Sequence, residues 1–251
     1  MILGAQLYSL RHKTQTEPDF EETFRRVAEM GYHAVQLSAI GPIPAEKIAA
    51  LSEKHSLPVT CTHSSFERII NDTDKLIEEH KTYGCSEIGL GCFPWKYYPH
   101  TKEGVVAFLH AMQTPAKKIR EAGLTFAYHN HNFEFVDIGG TTMFDLLIEN
   151  SDFNFIPDVY WLSYSNVNPS AMLRRLSGRV INVHLKDMTK DEKREICACG
   201  NGQIDFDPII RACEETGVKY ALVEEDNAPE KPDAFAEMEA SCRFLTPKIY
   251  R

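Results

Sequence analysis

Short apolar runs alternate with longer amphipathic segments from one end of the chain to the other. The apolar runs have the length of buried β-strands, and the segments between them have the spacing of helices that pack on one face. The pattern predicts strands at residues 2–8, 34–38, 58–62, 87–90, 124–128, 153–158, 179–184 and 219–224. It predicts helices at residues 19–30, 44–55, 72–83, 102–122, 143–150, 169–176, 207–216 and 233–244.

Eight strand–helix units in 251 residues predict an α/β fold, a (β/α)8 TIM barrel. We expect one domain over residues 1–251, because no Gly/Ser linker or low-complexity tract divides the chain. An open, doubly wound sheet shares the alternation. However, no Gly-x-Gly-x-x-Gly motif follows the first strand, so a dinucleotide-binding fold is not favoured.

The composition narrows the function classes. A formal net charge of −9 and a pI near 5.6 disfavour a nucleic-acid partner. No apolar run reaches the roughly 20 residues of a membrane span, and no secretory signal is evident at the start. The seven cysteines are odd in number and contain no Cys-x-x-Cys pair, so no disulfide framework is expected. We therefore expect a cytoplasmic protein.

Acidic and histidine residues follow each of the last four predicted strands. They occur as His129-Asn-His131 with Glu134, Asp158, His184-Leu-Lys186-Asp187, and Glu224-Glu-Asp226. In a closed parallel barrel these strand ends meet at one mouth. Any one of these residues alone would be read as a helix cap, a salt bridge or part of a solvated loop. Their recurrence at four successive strand ends predicts a divalent-metal site.

Oxygen-rich ligation with one imidazole suits Mn²⁺, which we favour, as well as Mg²⁺, Co²⁺ or Zn²⁺. Such an ion can hold two adjacent oxygens of a hydroxy-ketone and stabilise an enediolate. A carboxylate on each side of the substrate plane can then remove and return the proton. The expected partner is a small-molecule carbohydrate.

The chain resembles the sugar phosphate isomerase/epimerase family, the xylose isomerase-like TIM barrels that include endonuclease IV, inosose dehydratase and tagatose epimerase. The resemblance covers nearly the whole chain, and its strongest motifs are Tyr-His-Asn-His at 128–131 and His-Leu-Lys-Asp at 184–187. Further motifs lie at residues 4–11, 158–161, 200–206 and 223–226.

The resemblance implies that Asp158, His184 and Glu224 are metal ligands. The ligand from strand five is usually a glutamate at the strand end. His129 holds that place here and Glu134 follows it, so we predict Glu134 as the fourth ligand, with His129 as the alternative. Glu224 and Glu134 would form the acid/base pair.

Further site residues are also implied by the resemblance. His129 and Lys186 complete the catalytic candidates, with Lys186 able to neutralise an oxyanion or bind a carboxylate. The predicted substrate-binding residues are His63, His131, Tyr160 and Trp161, the last two as a stacking wall for a sugar ring or an aromatic aglycone.

Two departures from the family pattern matter. Many relatives carry a second histidine where this chain has Trp161, and strand four ends in Gly89-Leu-Gly91 without a histidine. The second departure argues against DNA repair. The Gly200-Asn-Gly202 loop has no Lys or Arg beside its glycines, so we expect a non-phosphorylated substrate.

Three functions are consistent with these residues. The first is a metal-dependent isomerase or epimerase of a ketose or keto-polyol. The second is a lyase or dehydratase that acts by β-elimination on a keto-sugar, keto-inositol or 3-keto-glycoside. The third is a non-catalytic sugar-binding or partner subunit. A homo-oligomer is left open, because no decisive interface signal is present.

Overall fold

Eight parallel strands form a barrel in the computed structural model, which describes residues 1–250. The barrel strands are β1 Ile2–Gln6, β2 Val35–Ser38, β3 Val59–Ser64, β4 Glu87–Leu90, β5 Thr125–His129, β6 Asn154–Ile156, β7 Asn182–Leu185 and β10 Tyr220–Val223. Between β7 and β10 the chain forms a small antiparallel hairpin of β8 Asp187–Met188 and β9 Ile196–Cys197.

The strands follow the order β6-β5-β4-β3-β2-β1-β10-β7, and β6 lies next to β7 to bring the two ends of the sheet together. Parallel bridges at Phe155–Val180 and Asp158–His184 join these two edges. The backbone N–H of His184 also donates a hydrogen bond to the carbonyl of Pro157 at 2.9 Å, a normal distance for a strand pair. The predicted (β/α)8 barrel is confirmed.

Ten α-helices surround the barrel: α1 Glu17–Glu29, α2 Ala45–His55, α3 Phe66–Asn71, α4 Thr73–Thr82, α5 Lys102–Glu121, α6 Met143–Asn150, α7 Val159–Tyr164, α8 Pro169–Arg175, α9 Phe206–Thr216 and α10 Ala234–Ile249. Short 3-10 helices occupy Leu7–Lys13, Phe133–Phe135 and Ala228–Glu230. No helix among residues 1–250 combines the length and the apolar character that a membrane crossing requires.

The helices begin and end where local chemistry satisfies the free backbone groups. Thr16, Thr101 and Thr142 each accept a hydrogen bond from the backbone N–H three residues later, at the start of α1, α5 and α6. Gly217 ends α9 in the left-handed conformation, with a φ of +76°, which glycine adopts without steric cost. The inward faces of the helices pack buried apolar side chains, such as Phe20 and Phe108, against the outside of the barrel.

The helical spacing did not predict α3, α7, the hairpin or the 3-10 helices, which all follow the carboxyl ends of strands. These elements are short, so they contain too few residues to show a clear apolar face in the sequence. Helix α10 also continues past the predicted end through Pro247 to Ile249. The differences are concentrated on the face of the barrel that holds the site described below.

A polar cluster fills the opposite, amino end of the barrel. Glu87 is fully buried, and its carboxylate accepts hydrogen bonds from Asn182 Nδ2 at 2.6 Å and from Asn154 Nδ2 at 3.2 Å. Burial disfavours the charged carboxylate and raises the pKa of Glu87 to about 7, although the two amides act in the other direction. Asn182 Oδ1 has no hydrogen-bond donor among the described residues.

We expect Glu87→Gln to stabilise the protein at pH 8 and to leave it nearly unchanged at pH 5. A carboxyl whose pKa is raised on folding binds protons more tightly when folded, so its contribution to stability falls as the pH rises from about 4.5 to about 7. The gain is at most about 3 kcal/mol. Asn182 can turn its unpaired oxygen to the new amide. Urea unfolding of both proteins at the two pH values measures this, and a variant that is less stable at pH 8 contradicts it.

Candidate metal centre at the barrel mouth

Four neighbouring strands bring one side chain each to a single point at their carboxyl ends. His129 ends β5, Asp158 follows β6, His184 lies in β7 and Glu224 follows β10. One ligand atom from each residue lies within 4.8 Å of the other three, and all four side chains are buried. We call these four residues the candidate metal group.

The spacing of the candidate metal group is that of ligands around one ion. The atoms are His129 Nε2, Asp158 Oδ2, His184 Nδ1 and Glu224 Oε2. The two ring nitrogens are 3.1 Å apart, and the distance from His184 Nδ1 to Glu224 Oε2 is 3.0 Å. Asp158 Oδ2 lies 3.6 Å from His129 Nε2 and 3.8 Å from His184 Nδ1, and Glu224 Oε2 lies 3.9 Å from His129 Nε2. Ligands about 2.1 Å from an ion lie about 3.0–3.4 Å from their neighbours, so a small contraction suffices.

Hydrogen bonds to β1 and β2 orient two of these ligands. His184 Nε2 lies 2.6 Å from Gln36 Oε1, which places the ring proton on Nε2 and turns the Nδ1 lone pair toward the candidate metal group. Gln6 Nε2 donates to Glu224 Oε1 at 2.9 Å and leaves Oε2 facing the centre. The strand register explains the geometry, since Gln6 pairs with Gln36 across β1 and β2. Neither glutamine was identified from the sequence, because an amide at a strand end is not distinctive by itself.

The two carboxylate oxygens of Asp158 also have different roles. Its Oδ1 caps α7 by accepting the backbone N–H groups of Tyr160 at 2.9 Å and Trp161 at 3.1 Å. Its Oδ2 is buried, faces the centre and accepts no hydrogen bond of good geometry, as is also true of Glu224 Oε2. Buried carboxylate oxygens require a cation nearby, and the Lys186 ammonium described below shares this role with any bound ion. The candidate metal group therefore fits a divalent ion by spacing, orientation and donor chemistry.

Lys186 places a positive charge beside the same oxygens. Its Nζ lies 2.9 Å from Asp158 Oδ2, 2.9 Å from Glu224 Oε2 and 2.7 Å from Asp226 Oδ2, and the side chain is fully buried. Burial acts to lower the pKa of Lys186, but the three carboxylates outweigh it and hold the pKa well above the usual range. Burial likewise acts to raise the pKa of Glu224, but Lys186 and His184 lower it well below the usual range. Both groups are charged at neutral pH.

The histidines differ in charge. Burial lowers the pKa of His63 to about 3 and that of His131 to about 4, and it lowers the pKa of His129 well below the usual value. For His184, burial is outweighed by Glu224 and Asp158, and the pKa rises to about 9. His63, His129 and His131 are therefore neutral at pH 7, whereas His184 is protonated in the ion-free protein and must release its Nδ1 proton to act as a ligand.

Glu134, the predicted fourth ligand, is not among the residues that the structure brings together in the candidate metal group, whereas His129, the alternative, is. Its Oε1 accepts from the Tyr128 hydroxyl at 2.8 Å, and its Oε2 accepts from the backbone N–H of His131 at 2.8 Å. Burial raises the pKa of Glu134 to about 8. Both Glu134 oxygens are thus held by hydrogen bonds next to the short 3-10 helix that follows β5. Glu134 is also absent from the lining of the cavity described next.

A cavity of about 710 Å³ opens directly onto this site, and His63, His129, His131 and Glu224 line it. His63 Nδ1 lies 3.3 Å from Ser38 Oγ, while its Nε2 is buried and has no partner among the described residues. A Cβ at Gly91 would lie 2.7 Å from the His63 ring, so glycine is needed there for the ring to lie against the end of β4. His131 Nδ1 also lacks a partner.

The predicted stacking wall of Tyr160 and Trp161 does not line this cavity. Tyr160 is buried, and its hydroxyl donates to the carbonyl of Arg194 at 2.8 Å. Trp161 lies behind His131, with ring centroids 5.5 Å apart. The exposed aromatic surface at the cavity belongs instead to Trp95 and Tyr97, which were not predicted from the sequence as substrate-binding residues. The aromatic run at residues 93–98, directly after β4, was the available signal.

The backbone N–H groups of the Gly200–Gly202 loop bind a carboxylate of the protein itself. Asp187 Oδ2 accepts the backbone N–H groups of Gly200 at 2.9 Å and Gly202 at 3.0 Å, and Oδ1 accepts that of Ile204 at 3.0 Å. A Cβ at Gly202 would come within 2.2 Å of this carboxylate. Because an internal carboxylate fills the loop, these N–H groups are not available to a phosphate.

Comparison with known proteins finds both sequence relatives and solved structures of similar fold. A segment of 130 residues is 28% identical to an inosose dehydratase of Clostridium perfringens, and it covers 44% of this chain and 43% of that protein. The chain thus matches less than half the length of this curated relative. The fold superposes on a sugar phosphate isomerase/epimerase from Parabacteroides distasonis with a TM-score of 0.83, at 21% identity over 99% of this chain and all of that one.

An L-ribulose 3-epimerase superposes with a TM-score of 0.75, at 15% identity over 99% of this chain and 94% of the other. At these identities the structural likenesses show the fold alone. The family model described as xylose isomerase-like TIM barrel matches residues 24–248, which is most of the chain. The protein therefore belongs to the xylose isomerase-like TIM barrel family.

Proposed function

We propose that the protein is a divalent-metal-dependent isomerase or epimerase of a ketose or related keto-polyol, which moves a proton at the carbon next to the carbonyl. The observation that carries the proposal is the candidate metal group, which opens into a cavity lined by neutral histidines and a charged carboxylate. His129, Asp158, His184 and Glu224 would hold the ion. Two imidazoles and two carboxylates favour Mn²⁺, Co²⁺ or Zn²⁺ over Mg²⁺, and we retain Mn²⁺ as the first choice.

Different side chains around the cavity would carry out different steps of the proton transfer. When bound, the ion supplies positive charge at the carbonyl and hydroxyl oxygens and so acidifies the C–H bond between them. Glu224 and His63 stand at the ends of β10 and β3, and both line the cavity. We assign them as the two groups that remove and return the proton, in place of Glu134. The Lys186 ammonium stabilises negative charge that develops on a substrate oxygen.

A lyase or dehydratase is the second candidate, and the sequence relatives favour it. The curated proteins that match this chain are inosose dehydratases. Removal of the same proton by His63, and its delivery by the resulting imidazolium to a hydroxyl that leaves the next carbon, would release water and leave an enone. The two reactions share their first step and differ in the fate of the carbanion.

Incubation of the Mn²⁺-loaded protein in D₂O with ketohexoses and a keto-inositol separates these functions. An isomerase or epimerase places deuterium next to the carbonyl and forms a new sugar, which NMR detects. A lyase releases water and produces enone absorbance. A non-catalytic subunit gives neither result with any substrate of the panel, and that result would contradict the proposal.

We expect His63→Ala to reduce kcat by about 10²–10⁴-fold, because it removes one proton-transfer group. The bound Mn²⁺ should stay unchanged if the candidate metal group holds it; loss of Mn²⁺ would instead assign the ion to His63, His129 and His184, whose ligand atoms also lie within 4.8 Å of one another. His110→Ala, at an exposed position on α5, is the matched control and should retain full activity. Wild-type kcat in His63→Ala would remove His63 from the assigned pair, whatever the reaction type.

A further inference from the structure

Trp95 and Tyr97 expose aromatic surface inside the cavity that leads to the candidate metal group. Trp95 is 39% exposed and Tyr97 is 44% exposed. Seven large hydrophobic side chains are exposed among the described residues, and these two are the ones that line this cavity. Exposed aromatic side chains concentrated at a cavity commonly mark a binding surface, because their burial by a ligand is favourable.

Packing from behind holds the two rings in place. The Trp95 ring contacts Phe133 edge-on at a centroid distance of 4.6 Å and Phe93 at 4.8 Å. The Tyr97 hydroxyl donates to Glu67 Oε1 at 2.8 Å, and its ring lies 5.5 Å from Phe66. Each ring is therefore supported on the protein side and open on the cavity side. Such a surface loses little conformational entropy when it binds a ligand.

The cavity is large enough for more than one ring. Its volume of about 710 Å³ includes both the aromatic pair and the site residues His129 and Glu224. Pockets of about 300–1,000 Å³ typically hold drug-sized molecules. A monosaccharide bound at the candidate metal group would leave the aromatic end unfilled.

The charges around the cavity disfavour an anionic group at the aromatic end. The acidic lining residues are Glu67, Glu224 and Asp226, and Lys96 is the one basic residue that lines the cavity among residues 1–250. The Lys96 ammonium lies 5.1 Å from the centre of the Tyr97 ring. Glu224 and Asp226 are paired with Lys186. At the aromatic end the charge of Glu67 offsets that of Lys96, so no excess positive charge attracts a phosphate ester, whereas an uncharged ring needs none.

We propose that Trp95 and Tyr97 form a second-ring subsite. The substrate class is a keto-sugar linked to a further uncharged ring, and this ring stacks on Trp95 while the sugar reaches the candidate metal group. The inference rests on the proposed function for the position of the sugar ring. The second ring can be an aromatic aglycone or the apolar face of another sugar, since both present C–H or π surface to an indole.

Tryptophan fluorescence provides a direct test, because the chain contains only Trp95 and Trp161. Titration of the Trp161→Phe protein with phenyl β-glucoside should quench Trp95 saturably, with a Kd about tenfold below that for glucose. Cellobiose tests the second-sugar source, and glucose 6-phosphate should bind no more tightly than glucose. Stronger binding of the phosphate ester, or equal Kd values for glucose, cellobiose and phenyl glucoside, would overturn the subsite.

Variants in the otherwise wild-type protein, followed by calorimetry, assign the effect to the ring. Trp95→Ala should weaken binding of the preferred two-ring ligand about tenfold and leave glucose binding unchanged, while Trp95→Phe should recover most of the loss. Tyr164→Ala removes an exposed aromatic ring outside the cavity and should have no effect. An equal loss for both ligands in Trp95→Ala would contradict the proposal. Binding does not require turnover, so failure of the proton-transfer reaction in D₂O leaves this test intact.

Discussion

Asp158→Asn is expected to lower the affinity for Mn²⁺ at least about 100-fold and the turnover about 1,000-fold. The substitution removes one anionic ligand atom from the candidate metal group and places an amide N–H₂ near the Lys186 ammonium. A metal ion contributes several kcal/mol of transition-state stabilisation, which corresponds to about three orders of magnitude in rate. Metal analysis after dialysis and a steady-state assay measure the two effects.

The choice of asparagine separates the metal role of Asp158 from its structural role. Asp158 Oδ1 caps α7, and an asparagine carbonyl oxygen can accept the same two N–H groups. Asp233→Asn is a matched control, because Asp233 caps α10 by accepting the N–H groups two and three residues later but is exposed and does not line the cavity. Full metal content in Asp158→Asn would exclude the proposed centre, and equal losses in both variants would indicate a capping effect.

Lys186→Met is expected to lower the stability of the metal-free protein by about 3–5 kcal/mol. The ammonium is the buried cation that Asp158, Glu224 and Asp226 share, and its removal leaves buried carboxylates without compensation. For a domain of this size the loss corresponds to roughly 6–20 °C in Tm. With saturating Mn²⁺ the loss should be smaller, because the ion neutralises two of the same oxygens. Thermal unfolding in EDTA and in Mn²⁺ gives the comparison.

The same variant should bind Mn²⁺ at least as tightly as the wild type, since a positive charge beside two ligand oxygens opposes a second cation. Lys118→Met is the control. Lys118 forms an exposed ion pair with Asp74 at 2.7 Å, and its loss should cost less than about 1 kcal/mol. A Lys186→Met protein that is equally destabilised with and without Mn²⁺ would show that lysine and ion do not share the carboxylates.

The barrel was predictable because each strand–helix unit carries its own signal. Buried parallel strands are short apolar runs, and the helices between them show one apolar face, so local sequence determines both element type and order. The elements that escaped prediction were short ones, such as α3 and α7, whose positions depend on packing at the barrel mouth. Helix α7 begins directly after Asp158, whose side chain caps it. The sequence pattern had assigned Asp158 to the preceding strand, so this cap was not recognised.

Three members of the candidate metal group were predictable for a related reason. Asp158, His184 and Glu224 stand at strand ends, and parallel strands in a closed barrel end at one mouth. The choice between His129 and Glu134 could not be made this way. Both follow β5, and only the turn after the strand decides which side chain points inward.

The sequence by itself determined the order of strands and helices, and therefore which strand ends would converge. The tertiary structure alone decided which polar atoms meet, because a distance of 3 Å depends on register, side-chain rotation and contacts from distant strands. The hydrogen bonds of Gln6 and Gln36 to Glu224 and His184 join residues 218 and 148 positions apart. The aromatic surface of Trp95 and Tyr97 likewise became a cavity wall only when the loop after β4 packed beside the mouth.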